Sequence, residues 1–187
     1  MTPALKRRGA TPSVDIQVAS PLWDGQPLAE QTVRDAIAAA ADTLSTTAGE
    51  VSIVLTDDQA IRDLNREWRK IDKATNVLSF PAAPAGGGEK LLGNEKMPGG
   101  EKMLGDIVIA YETLARECDD EGRDFLHHLA HLTVHGFLHL VGYDHQTDSD
   151  ADEMEGIESK IMKAMKMPDP YLDRDLGRDL GREIGEA

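Results

Sequence analysis

The sequence predicts an α+β domain, or an irregular α/β one, with a small mixed sheet of four strands packed with about five helices. Three observations carry this. Alternating and helical hydrophobic patterns follow one another in the order β-α-β-α-β-β-α-α-α. The 187 residues, 40 % hydrophobic and 29 % charged, suffice for one core. The lone cysteine, Cys118, cannot form an internal disulfide, so that core must hold without staples.

The elements follow in order. Residues 1–12 read as a loose tail. "VDIQVAS" (Val14–Ser20) alternates and predicts a strand. Pro27–Ser45 predicts a helix, with Leu28, Val33, Ile37, Ala40, Ala41 and Leu44 near one face. After Gly49 comes a second strand, Val51–Asp57. Asp57–Arg69 predicts a helix with acids in its first turn and bases in its last, which complements the helix dipole. Asn76–Phe80 is a third strand, stopped by Pro81. Residues 82–103 are rich in Gly, Pro and Ala and predict a loop insertion. "GGEKLLG" (Gly87–Gly93) recurs there as "GGEKMLG" (Gly99–Gly105), a local duplication too short for a solenoid. Asp106–Ala110 is the fourth strand. Three helices follow: Tyr111–Glu121, Asp124–Val141 and Asp148–Met167. The last carries Met154, Ile157, Ile161 and Met165 at helical spacing, which reads as core. Residues 13–168 thus form a single domain, and 169–187 a charged tail.

No apolar run reaches the ~20 residues that span a bilayer. The basic start lacks the apolar core of a secretory signal, so a cytoplasmic protein with no membrane partner is expected. The net charge of −14 argues against broad electrostatic binding of nucleic acid, unless a local basic face is present.

The chemistry concentrates in "HGFLHLVGYDH" (His135–His145). His135 and His139, four apart in a predicted helix, stack their imidazoles on one face. Gly142 can end the helix in a left-handed conformation and swing His145 back toward them. Three nitrogen ligands and an open fourth position describe a catalytic rather than a structural zinc site. The pattern is zincin-like, on a central helix, and metzincin proteases share the spacing. In those enzymes a Glu follows the first His as general base; here that residue is Gly136, which argues against peptide hydrolysis. The base must lie elsewhere: metal-activated water, Asp144, or a group on the substrate. Asp144 could equally orient a ligand ring or serve as a turn aspartate. His131, one turn earlier, could line the pocket or sit behind the ligands; His127 and His128 fall outside it. Asp148, Asp150, Asp152, Glu153 and Glu155 read as a solvated helix start.

These residues resemble the YbeY family of bacterial endoribonucleases and rRNA maturation factors. The hallmark "HGFLHLVGYDH" is complete, and Leu64–Pro81, Leu104–Ala110, His128–Gly136 and "DPY" (Asp169–Tyr171) match too. The resemblance covers most of residues 15–171. It implies one zinc ion on His135, His139 and His145, which would make residues 13–168 a metal-dependent hydrolase domain. It further implies single-strand-specific RNA cleavage, maturation of the small-subunit rRNA 3′ end, and ribosome quality control. The partners implied are ribosomal RNA, pre-ribosomal particles and a ribosomal protein. The insertion at 82–103 and the tail after Tyr171 depart from the family core.

A local basic face answers the charge problem. Arg62, Arg66, Arg69, Lys70 and Lys73 fall at near-helical spacing beside Trp68. They can contact phosphate and offer a stacking surface, or simply be solvated. The resemblance singles out Arg69, ahead of "DKATNVLSF", as the functional arginine; a guanidinium grips phosphate with two parallel bonds. Arg66, Lys73 and His131 are further substrate-binding candidates. Water and the neighbouring 2′-OH both remain as nucleophiles. Two rival readings stand beside the nuclease: a metal-stabilised ribosome-associated factor with little nuclease activity, and a metallopeptidase.

Overall fold

The computed structural model describes residues 11–45, 49–82 and 102–172. Within them lie β1 (Ser13–Val18), α1 (Ala29–Leu44), β2 (Glu50–Thr56), α2 (Asp58–Arg69), β3 (Val77–Pro81), β4 (Met103–Ala110), α3 (Tyr111–Glu121), α4 (Phe125–Leu140) and α5 (Asp148–Ala164). The chain is α+β, with one sheet in the order β1-β2-β4-β3. β1, β2 and β4 run parallel, and β3 is antiparallel to β4, so the sheet is mixed.

Side-chain alternation gives the sheet two apolar faces. Val51, Ile53, Leu55, Ile107 and Ile109 point into the main core with α1, α4 and α5. Leu78, Val108 and Ala110 point the other way, onto Ile61 of α2. Helix α4 is the centre of the main core: Leu129, Val134, Phe137 and Leu138 are fully buried. Burying each such side chain contributes about 1.5–3 kcal/mol.

Three of the five described α-helices start with a side-chain cap. Asp57, Asp124 and Thr147 accept from the backbone N–H three residues on, at Ala60, His127 and Asp150. Asp57 is therefore the cap of α2, not its first residue. Lys70 ends α2 in a left-handed conformation, which puts Lys73 in the following loop and off the helix.

Four further differences from the sequence reading have physical causes. β4 begins at Met103, inside the predicted loop, because Pro81 pairs with Gly105 and Glu50 with Met103. Gly105, at φ +143°, lies so close to the Phe80 carbonyl that a Cβ would sit 2.3 Å from its oxygen. A 3-10 turn, Pro21–Gly25, went unforeseen; it buries Trp23, whose indole N–H donates to the Thr56 carbonyl at 2.9 Å. α5 stops at Ala164, and Met165 and Ile157 are only partly buried. Asp169 and Tyr171, grouped with the tail, are hydrogen-bonded to α5. The first copy of the duplicated segment lies outside the described residues, as do residues 1–10, 83–101 and 173–187. Among the described residues, no helix is long and apolar enough to cross a membrane.

Candidate metal centre

The three histidines of the motif converge. His135 and His139 face the same way from α4, and the chain reverses after Val141. Gly142 takes φ +100°, and the Tyr143 N–H returns to the Leu138 carbonyl at 3.0 Å. That reversal brings the exposed His145 over the helical pair, with ring centroids 5.6 Å from His135 and 5.1 Å from His139. One nitrogen from each ring lies within 4.8 Å of the other two.

The other ring nitrogens decide which atoms face the centre. His139 Nδ1 lies 3.0 Å from the Tyr143 carbonyl, which only accepts, so Nδ1 carries the hydrogen. His135 Nδ1 lies 2.8 Å from Glu158 Oε1, and a carboxylate likewise only accepts. Both Nε2 atoms therefore hold lone pairs, and they face each other at 3.2 Å. Two lone pairs at that distance repel unless a cation lies between them or one ring is protonated. Burial, and the neighbouring His135 and His145, lower the pKa of His139, which disfavours its protonated form. The donor set thus suits a borderline metal ion such as zinc.

Glu158 escaped the sequence reading. It is 1 % exposed in α5, on the same stripe as Met154 and Ile161. Burial alone would raise its pKa, but hydrogen bonds from His131 and His135 hold it at about 2. The one signal available was an acid at a core-facing helical position. Asp144 does not orient a ligand ring: it accepts from the His145 backbone N–H and from Gln146. Those local bonds hold it in the turn before His145.

Gly136 faces the sheet, not the ligands. A Cβ there would sit 2.9 Å from Ile107 Cγ2 and 3.1 Å from Ser79 Oγ. The residue after the first ligand is therefore glycine because α4 touches β3 and β4 at that point.

His131 lies behind the ligands, its Nε2 2.9 Å from Glu158 Oε2. His128 bonds Glu117 at 2.7 Å and stays outside the centre. The basic segment is unevenly engaged. Arg62 forms a bidentate pair with Asp72, and Arg66 pairs with Asp63 and Asp72. Lys70 caps the Glu67 carbonyl. Arg69 and Lys73 are exposed, and neither side chain forms an ion pair with a described residue. α2 and α4 cover opposite faces of the sheet. They approach the same end of β3, where Trp68 packs edge-on against Phe80 and Gly136 meets Ser79.

Comparison with known proteins agrees in one direction. The family model described as Endoribonuclease YbeY matches residues 24–166. A Bradyrhizobium protein named Endoribonuclease YbeY is 50 % identical over 166 residues, 88 % of this chain and 95 % of its own length. Its namesake from Bradyrhizobium diazoefficiens is 48 % identical over 165 residues, 87 % of each chain. The solution structure of a Thermotoga maritima protein aligns at TM-score 0.49 and 20 % identity, over 82 % of this chain and 91 % of that one. That structural likeness is too slight to argue from.

Proposed function

The chain belongs to the YbeY endoribonuclease family, and on that premise we propose that it is a zinc-dependent, single-strand-specific endoribonuclease of rRNA maturation. The observation that supports this most is the pair of Nε2 lone pairs facing each other beside His145. His135, His139 and His145 would hold one zinc-like site on the central helix, with His145 on the exposed side. Bound there, the ion would supply Lewis acidity and lower the pKa of water.

The chain's own groups do the rest. The Tyr143 carbonyl and Glu158 fix the rings of His139 and His135. Arg69 is the guanidinium left for phosphate, since Arg62 and Arg66 already hold aspartates. Its role is to position the substrate and to stabilise charge on the phosphoryl group. Trp68, 49 % exposed, offers a stacking face for an unpaired base, which favours single strands. Lys73 adds an exposed charge in the loop after α2, while Arg66 and His131 are occupied by carboxylates. Glu158 is enclosed by donors and cannot serve as the base.

The substrate proposed is precursor small-subunit rRNA near its 3′ end, met on pre-ribosomal particles in the cytoplasm. The test is cleavage of a precursor rRNA fragment with end analysis of the products. His135→Ala, Arg69→Glu and chelated protein should all lose cleavage. Undiminished cleavage by His135→Ala would assign the activity to a contaminant and sink the reading. If zinc removal melts the domain while wild-type protein still fails to cut, a ribosome-associated factor is the better description.

A further inference from the structure

The "DPY" stretch that follows α5 has no part in the reading above, yet the structure ties it to the histidine cluster. Asp169 Oδ1 accepts from Ser159 Oγ and from the Tyr171 backbone N–H, both at 3.0 Å. This sets the turn in register with α5, beside Glu158. The Tyr171 hydroxyl then reaches Glu158 Oε2. The same oxygen accepts from His131 Nε2, and Oε1 accepts from His135 Nδ1. Tyr171 and His131 also meet edge to face, with centroids 5.6 Å apart.

A carboxylate buried this deeply is costly unless donors surround it. Here three donors do so, and each has its hydrogen assigned, because the carboxylate can only accept. His131 donates from Nε2, which leaves its Nδ1 buried with no hydrogen-bond partner among the described residues. Packing alone gives no reason for that sacrifice, since an apolar residue at position 158 would continue the Met154–Ile161 stripe. What the arrangement secures is the His135 tautomer: hydrogen on Nδ1, lone pair on Nε2.

We infer that Tyr171, His131 and Glu158 form a positioning set that locks the His135 ring for metal binding, so that the segment after α5 governs how tightly the metal is held. The inference rests on the metal site proposed above. Its test separates the two. In the metal-free full-length chain, ring 15N–1H spectra report the His135 tautomer. In the same protein, competition with a chelating dye reports the zinc dissociation constant. Wild-type protein should show a single Nδ1–H tautomer. Glu158→Gln should give a mixed tautomer and weaken zinc binding by about 10–100-fold, the usual effect of losing such a partner. Tyr171→Phe, which keeps the ring, should move both readouts in the same direction but less. Wild-type tautomer and zinc affinity in both variants would overturn the inference. If Glu158→Gln does not fold, Tyr171→Phe decides alone. A locked tautomer in wild-type protein that takes up no zinc would refute the metal site, and with it the control of metal affinity, while a mixed tautomer in wild-type protein that binds zinc would refute the positioning set alone.

Discussion

Glu117 and Glu158 each hydrogen-bond a histidine ring of α4, and they do different things there. Glu117 of α3 bonds His128 Nε2 at 2.7 Å and the Asn76 amide at 3.0 Å. Glu158 of α5 bonds His135 Nδ1 and His131 Nε2. In both places a carboxylate fixes a ring. The far nitrogen differs. His128 turns its Nδ1 into the protein, where it is buried and meets no hydrogen-bond partner among the described residues. His135 turns its Nε2 toward two more imidazoles. A carboxylate–histidine pair is thus no sign of a metal site by itself. The free nitrogen must face an open cluster, and among the described residues the reversal at Gly142 supplies one.

The largest expected contrast comes from neutralising each acid in turn. Glu158→Gln should cost about 10–100-fold in zinc affinity, and Glu117→Gln should leave it unchanged. Equal losses, measured by dye competition, would break the distinction. His128→Leu should lower stability by about 1–3 kcal/mol in urea unfolding through the lost buried bond, with zinc binding intact. Gly136→Ala acts beside the ligand instead. The crowding at Ile107 costs about 1–3 kcal/mol, against about 1 kcal/mol gained in helix propensity. A net loss of up to about 2 kcal/mol should follow, with weaker zinc binding as α4 lifts from the sheet.

The smallest effect is in pH. Burial would raise the Glu117 carboxyl, but His128 and Asn76 outweigh it and hold the pKa below the ordinary value. A lowered carboxyl stabilises the fold above its unfolded pKa and ceases to do so as pH falls through the folded one. The urea-midpoint gap between wild type and Glu117→Gln should therefore narrow from about pH 6 to about pH 3. A gap that widens on acidification would contradict the pairing.

Periodicity made most of this legible. The order of elements and the helical pair of ligands are local properties, and so is the glycine hinge: spacing along one helix and one turn dictates them. Glu158 is not local. Its position in α5 says that it faces inward, but only the packing of α5 on α4 says what it meets. Trp23 was hidden for a similar reason, because a five-residue 3-10 turn has no period to detect. The first residues of β4 looked like loop because Gly105 and its neighbours resemble the insertion, and their partners lie on β2 and β3. Spacing in the sequence lets several of Arg62, Arg66, Arg69, Lys70 and Lys73 share one face. The structure divides it, since Asp63 and Asp72 take up Arg62 and Arg66 and leave Arg69.

Gly136 also bears on how such a site can change over generations. A single substitution to glutamate would restore the peptidase signature on paper. In the folded chain that side chain would start toward Ile107 and Ser79, where even a methyl group is crowded. The sheet would have to retreat before the new acid could turn toward the ligands. A mutational path to that signature therefore has to move the sheet first, and the close seat of one helix on two strands holds position 136 to glycine.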